Sequence, residues 1–249
     1  MASRIAHNPH AAGDSVCRIL LADDSHDSQA LIRLYLHGLP YHLDVAEDGE
    51  KAVAMFQSRR FDIVILDQHM PIMGGFPAAR VMREWESSRQ QTPVPMLALT
   101  ADSSVEAREQ GHAAGCTECL AKPITKEQLL DALQRFDPSS SQKPATPRNH
   151  SPAGIAALID EEIARRRPLF LDHRRQELQR LQDAIERRDC DFIRTTGHRL
   201  KGLAGSYGFP EIGLAGAQLE QAAKAQDVVA MRRTIDQLAA LLAQASQAV

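Results

Sequence analysis

Groups that can handle a phosphoryl transfer fall at the ends of separate apolar runs. Asp23-Asp24 follow Ile19-Leu20-Leu21-Ala22, Asp67 follows Ile63-Val64-Ile65-Leu66, Thr100 follows Leu99, and Lys122-Pro123 follow Leu120-Ala121. Three carboxylates gathered in one place repel each other unless a cation sits among them. An all-oxygen set suits Mg²⁺, a hard ion that keeps waters and takes few protein carboxylates. With that charge balanced, one carboxylate can attack phosphorus, while the metal, the Lys122 ammonium and the Thr100 hydroxyl stabilise the phosphoryl oxygens. A second acceptor of opposite chemistry, His198, stands in Gly197-His198-Arg199-Leu200-Lys201-Gly202. A neutral imidazole nitrogen is a capable nucleophile near pH 7.

The carboxylates meet only if the runs that carry them lie side by side. Strand-like segments at Arg18–Ala22, His42–Ala46, Asp62–Leu66, Pro95–Leu99 and Glu118–Ala121 alternate with amphipathic stretches at Ser28–His37, Gly49–Arg59, Phe76–Arg89, Ser104–Ala114 and Lys126–Phe136. Uninterrupted apolar runs mark strands buried on both faces. The alternation predicts a five-stranded, parallel, doubly wound α/β sheet, whose strand ends converge on one crevice. Residues 17–137 form this domain and 1–16 a disordered lead-in.

Residues 138–152, rich in proline and serine, read as a linker. From 153 to 249 no strand signal appears. Helices are expected at Ala153–Arg165, Pro168–Arg188, Asp191–Ser206, Pro210–Ala225 and Val228–Gln247, forming an all-α bundle. At about 100° per residue, Ile193, Leu200, Leu203 and Tyr207 form the stripe that faces the bundle. His198 points roughly 160° away from Leu200 on that wheel, toward solvent, with Lys201 beside it. Gly202 and Gly205 share its face. Glycine costs a helix about 1 kcal/mol against alanine, so two on one face call for a reason. A surface cleared beside the histidine lets another active site approach, and Lys201 can attract an incoming phosphoryl group. The basic runs Arg165-Arg166-Arg167 and Arg174-Arg175 read as solvated faces.

A net charge of −3 gives no electrostatic case for nucleic acid, and a 43% hydrophobic, 24% charged composition is that of a globular protein. No apolar run approaches the roughly 20 residues a bilayer span needs, and the polar start lacks a signal-peptide core, so a cytoplasmic protein without a membrane partner is expected. Cys116 and Cys119 have the C-x-x-C spacing of a redox pair or half a zinc site, but no second pair supports a metal.

Asp23-Asp24, Asp67-Gln68-His69-Met70-Pro71-Ile72-Met73, Leu99-Thr100-Ala101 and Leu120-Ala121-Lys122-Pro123 resemble the receiver domain of two-component response regulators, a flavodoxin-like fold. That resemblance implies that Asp67 accepts the phosphoryl group and that Asp23, Asp24, Asp67 and the His69 backbone carbonyl hold Mg²⁺. It also implies that Thr100 and Lys122 bind the acyl phosphate. Two positions depart from the pattern. Gly74-Gly75 replace Asp-Gly, and Cys119 stands where an aromatic usually swings inward, a movement a cysteine cannot reproduce. His198-Arg199-Leu200-Lys201-Gly202 with Gly208 resemble the histidine phosphotransfer (HPt) domain, a four-helix bundle in which the histidine carries the phosphoryl group.

No P-loop or ATP-binding kinase core is present, so the combination implies a phosphorelay intermediate rather than a kinase. Asp67 takes a phosphoryl group from a sensor histidine kinase. His198 exchanges it with Asp67 or with a downstream response regulator receiver. Two other readings remain open: a receiver that gates an HPt domain serving a different kinase and regulator, and a docking adaptor without phosphotransfer.

Overall fold

The structure, a computed structural model, describes residues 16–102, 104–138 and 152–247, with side chains described from residue 160 in the last stretch. The expected lead-in up to residue 15 and linker residues 139–151 lie outside the described residues.

The first part is a five-stranded parallel sheet of order β2-β1-β3-β4-β5. Its strands are β1 Cys17–Ala22, β2 Tyr41–Ala46, β3 Ile63–Asp67, β4 Met96–Thr100 and β5 Glu118–Ala121. The helices between and after them are α1 His26–Leu36, α2 Gly49–Ser58, α3 Gly75–Ser88, α4 Val105–Ala113 and α5 Lys126–Phe136. β3 and β4 are buried throughout. Their side chains alternate between two cores. Ile63, Ile65, Leu97 and Leu99 face α1 and α5, and Val64, Leu66, Met96 and Ala98 face the α2–α3 side. Asp67 and Thr100 are the last residues of β3 and β4 rather than the first beyond them, because Asp67 still pairs with Leu99 and Thr100 with Ala121.

The second part is helical: α6 Pro152–Glu186, α7 Cys190–Leu203, a 3-10 turn Ala204–Tyr207, α8 Pro210–Lys224 and α9 Val228–Gln247. The two helices expected on either side of Pro168 are one 35-residue helix with that proline inside. A proline forfeits a single backbone bond. Here i,i+4 pairs from Arg165 to Glu161 and Arg166 to Glu162 support the turns before it, and Phe170 and Leu171 bury themselves just after it. Asp189 caps α7 through Phe192 N, and Asp227 caps α9 through Ala230 N. Gly208 takes the left-handed conformation (φ +85°) that ends the 3-10 turn. No helix among the described residues is long and apolar enough to cross a membrane.

The two parts share a core. The apolar cluster on the α1–α5 side of the sheet continues through Ile124 and Tyr35 into Phe170, Tyr207 and the bundle interior.

Candidate functional site

The strand order reverses between β1 and β3, so the crevice at their carboxyl ends is where a doubly wound sheet builds a site. Asp23 is fully buried there. Its carboxylate accepts from Ser25 N at 2.8 Å and Ser28 Oγ at 2.6 Å, both from the start of α1. Lys122 Nζ lies 2.8 Å from Asp67 Oδ2 and 3.5 Å from Asp23 Oδ2. Burial alone would depress this ammonium, but the two carboxylates outweigh burial and raise it above the usual lysine range. Burial also raises the carboxyls of Asp23 and Asp24, against the pull of Lys122 on the first and Arg199 on the second. Carboxylate oxygens of Asp23, Asp24 and Asp67 all lie within 4.8 Å of one another. Thr100 sits at the same edge, and its hydroxyl donates to Gln68 Oε1 at 2.5 Å.

α7 crosses this edge. It is held from behind by α8, at a crossing where Gly197 and Gly216 bring the two backbones into contact. A Cβ on Gly197 would stand 2.7 Å from both Gly216 O and Glu220 N. That closeness sets Glu220 beside the histidine, with Oε1 3.4 Å from His198 Nδ1. This is ion-pair distance without hydrogen-bond geometry, since both ring nitrogens are buried and lack a hydrogen-bond partner. Glu220 also pairs with Lys224 at 2.7 Å and Lys201 at 3.8 Å. Burial works to raise the Glu220 carboxyl, but His198 and Lys224 outweigh it and hold it down at about 2.

His198 does not face solvent as expected; it is 8% exposed. It points away from the bundle core, but what lies there is the sheet edge of the same chain. Its ring packs edge-on against His69, with centroids 4.2 Å apart, and His69 N in turn approaches Asp67 Oδ1 at 3.4 Å. His198, Arg199 and Gly202 enclose with Asp67 and Lys122 a cavity of about 20 Å³, room for one water-sized group. The glycines explain the approach. A Cβ on Gly202 would meet Lys122 Cδ at 3.0 Å, and one on Gly205 would meet Pro123 Cγ at 3.1 Å.

Residues 19–134 match the response regulator receiver domain and residues 167–248 the Hpt domain. The chain joins a receiver domain to an Hpt domain. It is similar to the sensor protein GacS of Pseudomonas syringae pv. syringae, 29% identical over 156 residues, 63% of this chain and 16% of that protein. It is also similar to the virulence sensor protein BvgS of Bordetella pertussis, 30% identical over 205 residues, 75% of this chain and 17% of that protein. The chain thus spans under a fifth of the length of these relatives. The solved chemotaxis protein CheY4 of Vibrio cholerae covers 49% of this chain and 98% of its own, with 35% identity and a TM-score of 0.45.

The Hpt domain is fastened to the receiver by charges that the sequence hid. Asp27, in the first turn of receiver helix α1, is buried and pairs with Arg174 at 3.0 Å and His173 at 3.2 Å, both from α6. Arg174, expected on a solvated face, is 7% exposed and also holds Glu177 at 3.1 Å. Tyr207, stacked on Phe170, donates to the Asp27 carbonyl at 3.1 Å. Lys201, expected beside the phosphoryl path, is turned to Glu220. The C-x-x-C cysteines are free thiols, and the Cys119 sulfur fills the space that a side chain on Gly111 would need.

Two expectations follow here. Leucine at Gly202 presses against the Lys122 stem, whose ammonium is tied to two carboxylates. Gly202→Leu should slow transfer between Asp67 and His198 about 100-fold, the scale of a 1 Å misplacement, while circular dichroism shows unchanged helix content; a rate within threefold of the parent contradicts the contact. The folded Glu220 carboxyl is held at about 2, below its ordinary value of 4.5, so its stabilisation is complete above 4.5 and lost as pH falls toward about 2. The melting-temperature difference between parent and Glu220→Gln should therefore be largest near neutrality and close through that acid window. A constant difference across it sinks the assignment.

Proposed function

We propose that this chain is a phosphorelay intermediate in which Asp67 and His198 exchange a phosphoryl group within one molecule. The observation that carries this reading is the shared cavity: the imidazole lies over the carboxylate and ammonium that a receiver uses for phosphoryl chemistry. Residues 17–137 act as the receiver, 138–152 as a tether and 153–249 as the Hpt domain. Linkage keeps the effective concentration of one site at the other high. A sensor histidine kinase loads Asp67, and a downstream receiver takes the group from His198.

With Nδ1 turned to Glu220, the nucleophile is Nε2. In the forward direction the N–P bond forms as the bond from phosphorus to the Asp67 carboxylate oxygen breaks. The carboxylate leaves with its electron pair, and the phosphorylated ring, with its Nδ1 proton, becomes an imidazolium that the Glu220 carboxylate offsets. Lys122 neutralises Asp67 as it leaves, and Thr100 supplies a hydroxyl to the phosphoryl oxygens. Lys201 and Lys224 balance Glu220, and Gly202 and Gly205 give the docking face its clearance. The donor set fits Mg²⁺, because the three carboxylates converge and Asp24 Oδ1 is buried without a hydrogen-bond partner. Held by Asp23, Asp24, Asp67 and the His69 carbonyl, the ion would supply charge neutralisation for the phosphoryl group.

Loading the full chain with labelled acetyl phosphate and Mg²⁺ tests this. Label should appear on Asp67 and then on His198 in the parent, stop at Asp67 in His198→Gln, and reach neither in Asp67→Asn. Label on His198 in the Asp67→Asn chain, or label that never leaves Asp67 in the parent, overturns exchange in cis. The burial of His198 also favours a gating reading, in which phosphorylation of Asp67 opens the chain and no label moves.

A further inference from the structure

The cationic side chain of α7 that reaches the shared cavity beside His198 is not Lys201 but Arg199. Its guanidinium lies 3.8 Å from Asp24 Oδ2 on the receiver and 3.6 Å from Glu177 Oε1 on α6. Both contacts exceed hydrogen-bond length. Its Nε is buried without a hydrogen-bond partner, and so is Asp24 Oδ1 across from it. A guanidinium three-quarters withdrawn from water, steered by two carboxylates yet fixed by neither, keeps its planar fork of donors for another acceptor. The same cavity is lined by Asp67, Lys122 and His198, with Ser25, Ser28, Gly202 and Leu203 completing the wall. An oxyanion in transit between Asp67 and His198 would complete this set.

We propose that Arg199 is a catalytic residue for transfer between Asp67 and His198: a cation delivered by the Hpt domain that binds the phosphoryl oxygens in the transition state. The proposal rests on exchange in cis. During the transfer the bond from phosphorus to the Asp67 carboxylate oxygen breaks and the bond to His198 Nε2 forms, with two negative charges on the reacting groups before and after. Arg199 neither gains nor loses a proton. It serves the charge that spreads over the equatorial oxygens, as arginine fingers do in other phosphoryl transfers. Lys122 meets Asp67 from the receiver side, so the phosphoryl group would be held between one cation from each domain. The charge on Asp24 sets where Arg199 rests before transfer.

The test compares the full-length parent with Arg199→Ala and Arg199→Lys, each loaded on Asp67 with labelled acetyl phosphate and Mg²⁺. Single-turnover transfer to His198 should fall about 100-fold or more in Arg199→Ala and recover in part in Arg199→Lys, which keeps the charge without the fork. The final ratio of label on the two residues should not change, because a group that acts on the transition state slows both directions equally. Small-angle scattering should show the alanine variant as compact as the parent. A rate within threefold of the parent overturns the proposal, as does a shifted final ratio. A loss matched by an opened chain also overturns it, since Arg199 would then only dock the domains. A parent that moves no label to His198 fails the cis-exchange reading itself and this proposal with it; a parent that transfers while Arg199→Ala transfers equally fails this proposal alone.

Discussion

Replacing Asp27 by alanine should separate the two domains and reduce transfer between Asp67 and His198 by about 10²–10⁴, the effect of removing one member of a buried ion pair, about 3–5 kcal/mol. The asymmetry of the interface decides the size. Arg174 and Glu177 stand 3.1 Å apart on the same helix, so their pairing does not depend on docking, and undocking would hydrate both. Docking buries Arg174, and Asp27, at 3.0 Å, is the receiver group that offsets this. Without the carboxylate, docking still dehydrates the guanidinium, with only Glu177 of its own helix left to offset the charge. The Tyr207 bond survives the change because it ends on the Asp27 carbonyl. An apolar pair, Asp27→Leu with Arg174→Met, removes both charges and should restore compactness and most of the rate. Transfer rates and scattering of the two variants check this. If Asp27→Ala transfers at the parental rate, the clamp plays no part in docking.

Alanine at Gly197 should lower the melting temperature by roughly 10 °C, a net destabilisation of about 2 kcal/mol in the bundle. Intrinsic helix preference pulls the other way by about 1 kcal/mol. It loses because the new methyl meets Glu220 N and Gly216 O at 2.7 Å, and backbone atoms cannot rotate aside as a side chain can. α7 and α8 must part, which moves Glu220 from the imidazole and slows transfer as well. Gly213, on the same α8, is the control. A Cβ there finds nothing nearer than 3.7 Å, so Gly213→Ala should stabilise by up to about 1 kcal/mol. Calorimetry on the two variants reads the contrast, and equal effects of one sign contradict the close crossing.

The sheet was legible because its strands are buried on both faces. Runs such as Ile63-Val64-Ile65-Leu66 cannot sit on a half-solvated surface, and each carries its polar residue at the same end. The helical wheel was right about α7 locally: Ile193 and Leu200 join the bundle core, and His198 lies against His69 of the receiver instead. It erred on what outward meant, since no local periodicity reports a sheet edge built from residues as distant in the chain as Asp67 and Lys122. Asp27, Arg174 and Glu220 escaped notice for the same reason: a charge on the polar face of an amphipathic helix looks solvated until a second surface arrives. Pro168 misled in the opposite way. It resembles a helix start, but burial at Phe170 and Leu171 carries α6 through it.

The glycine-cleared face of α7 is already taken. Lys122 and Pro123 of the chain's own receiver lie against Gly202 and Gly205, where any second receiver would have to sit to reach His198. In the proposed relay the histidine would therefore serve one customer at a time, with onward traffic queued behind departure of the resident domain. How often that domain lifts off would then set the throughput of the proposed relay, and how long it stays away would divide phosphoryl groups between return to Asp67 and passage to the next protein.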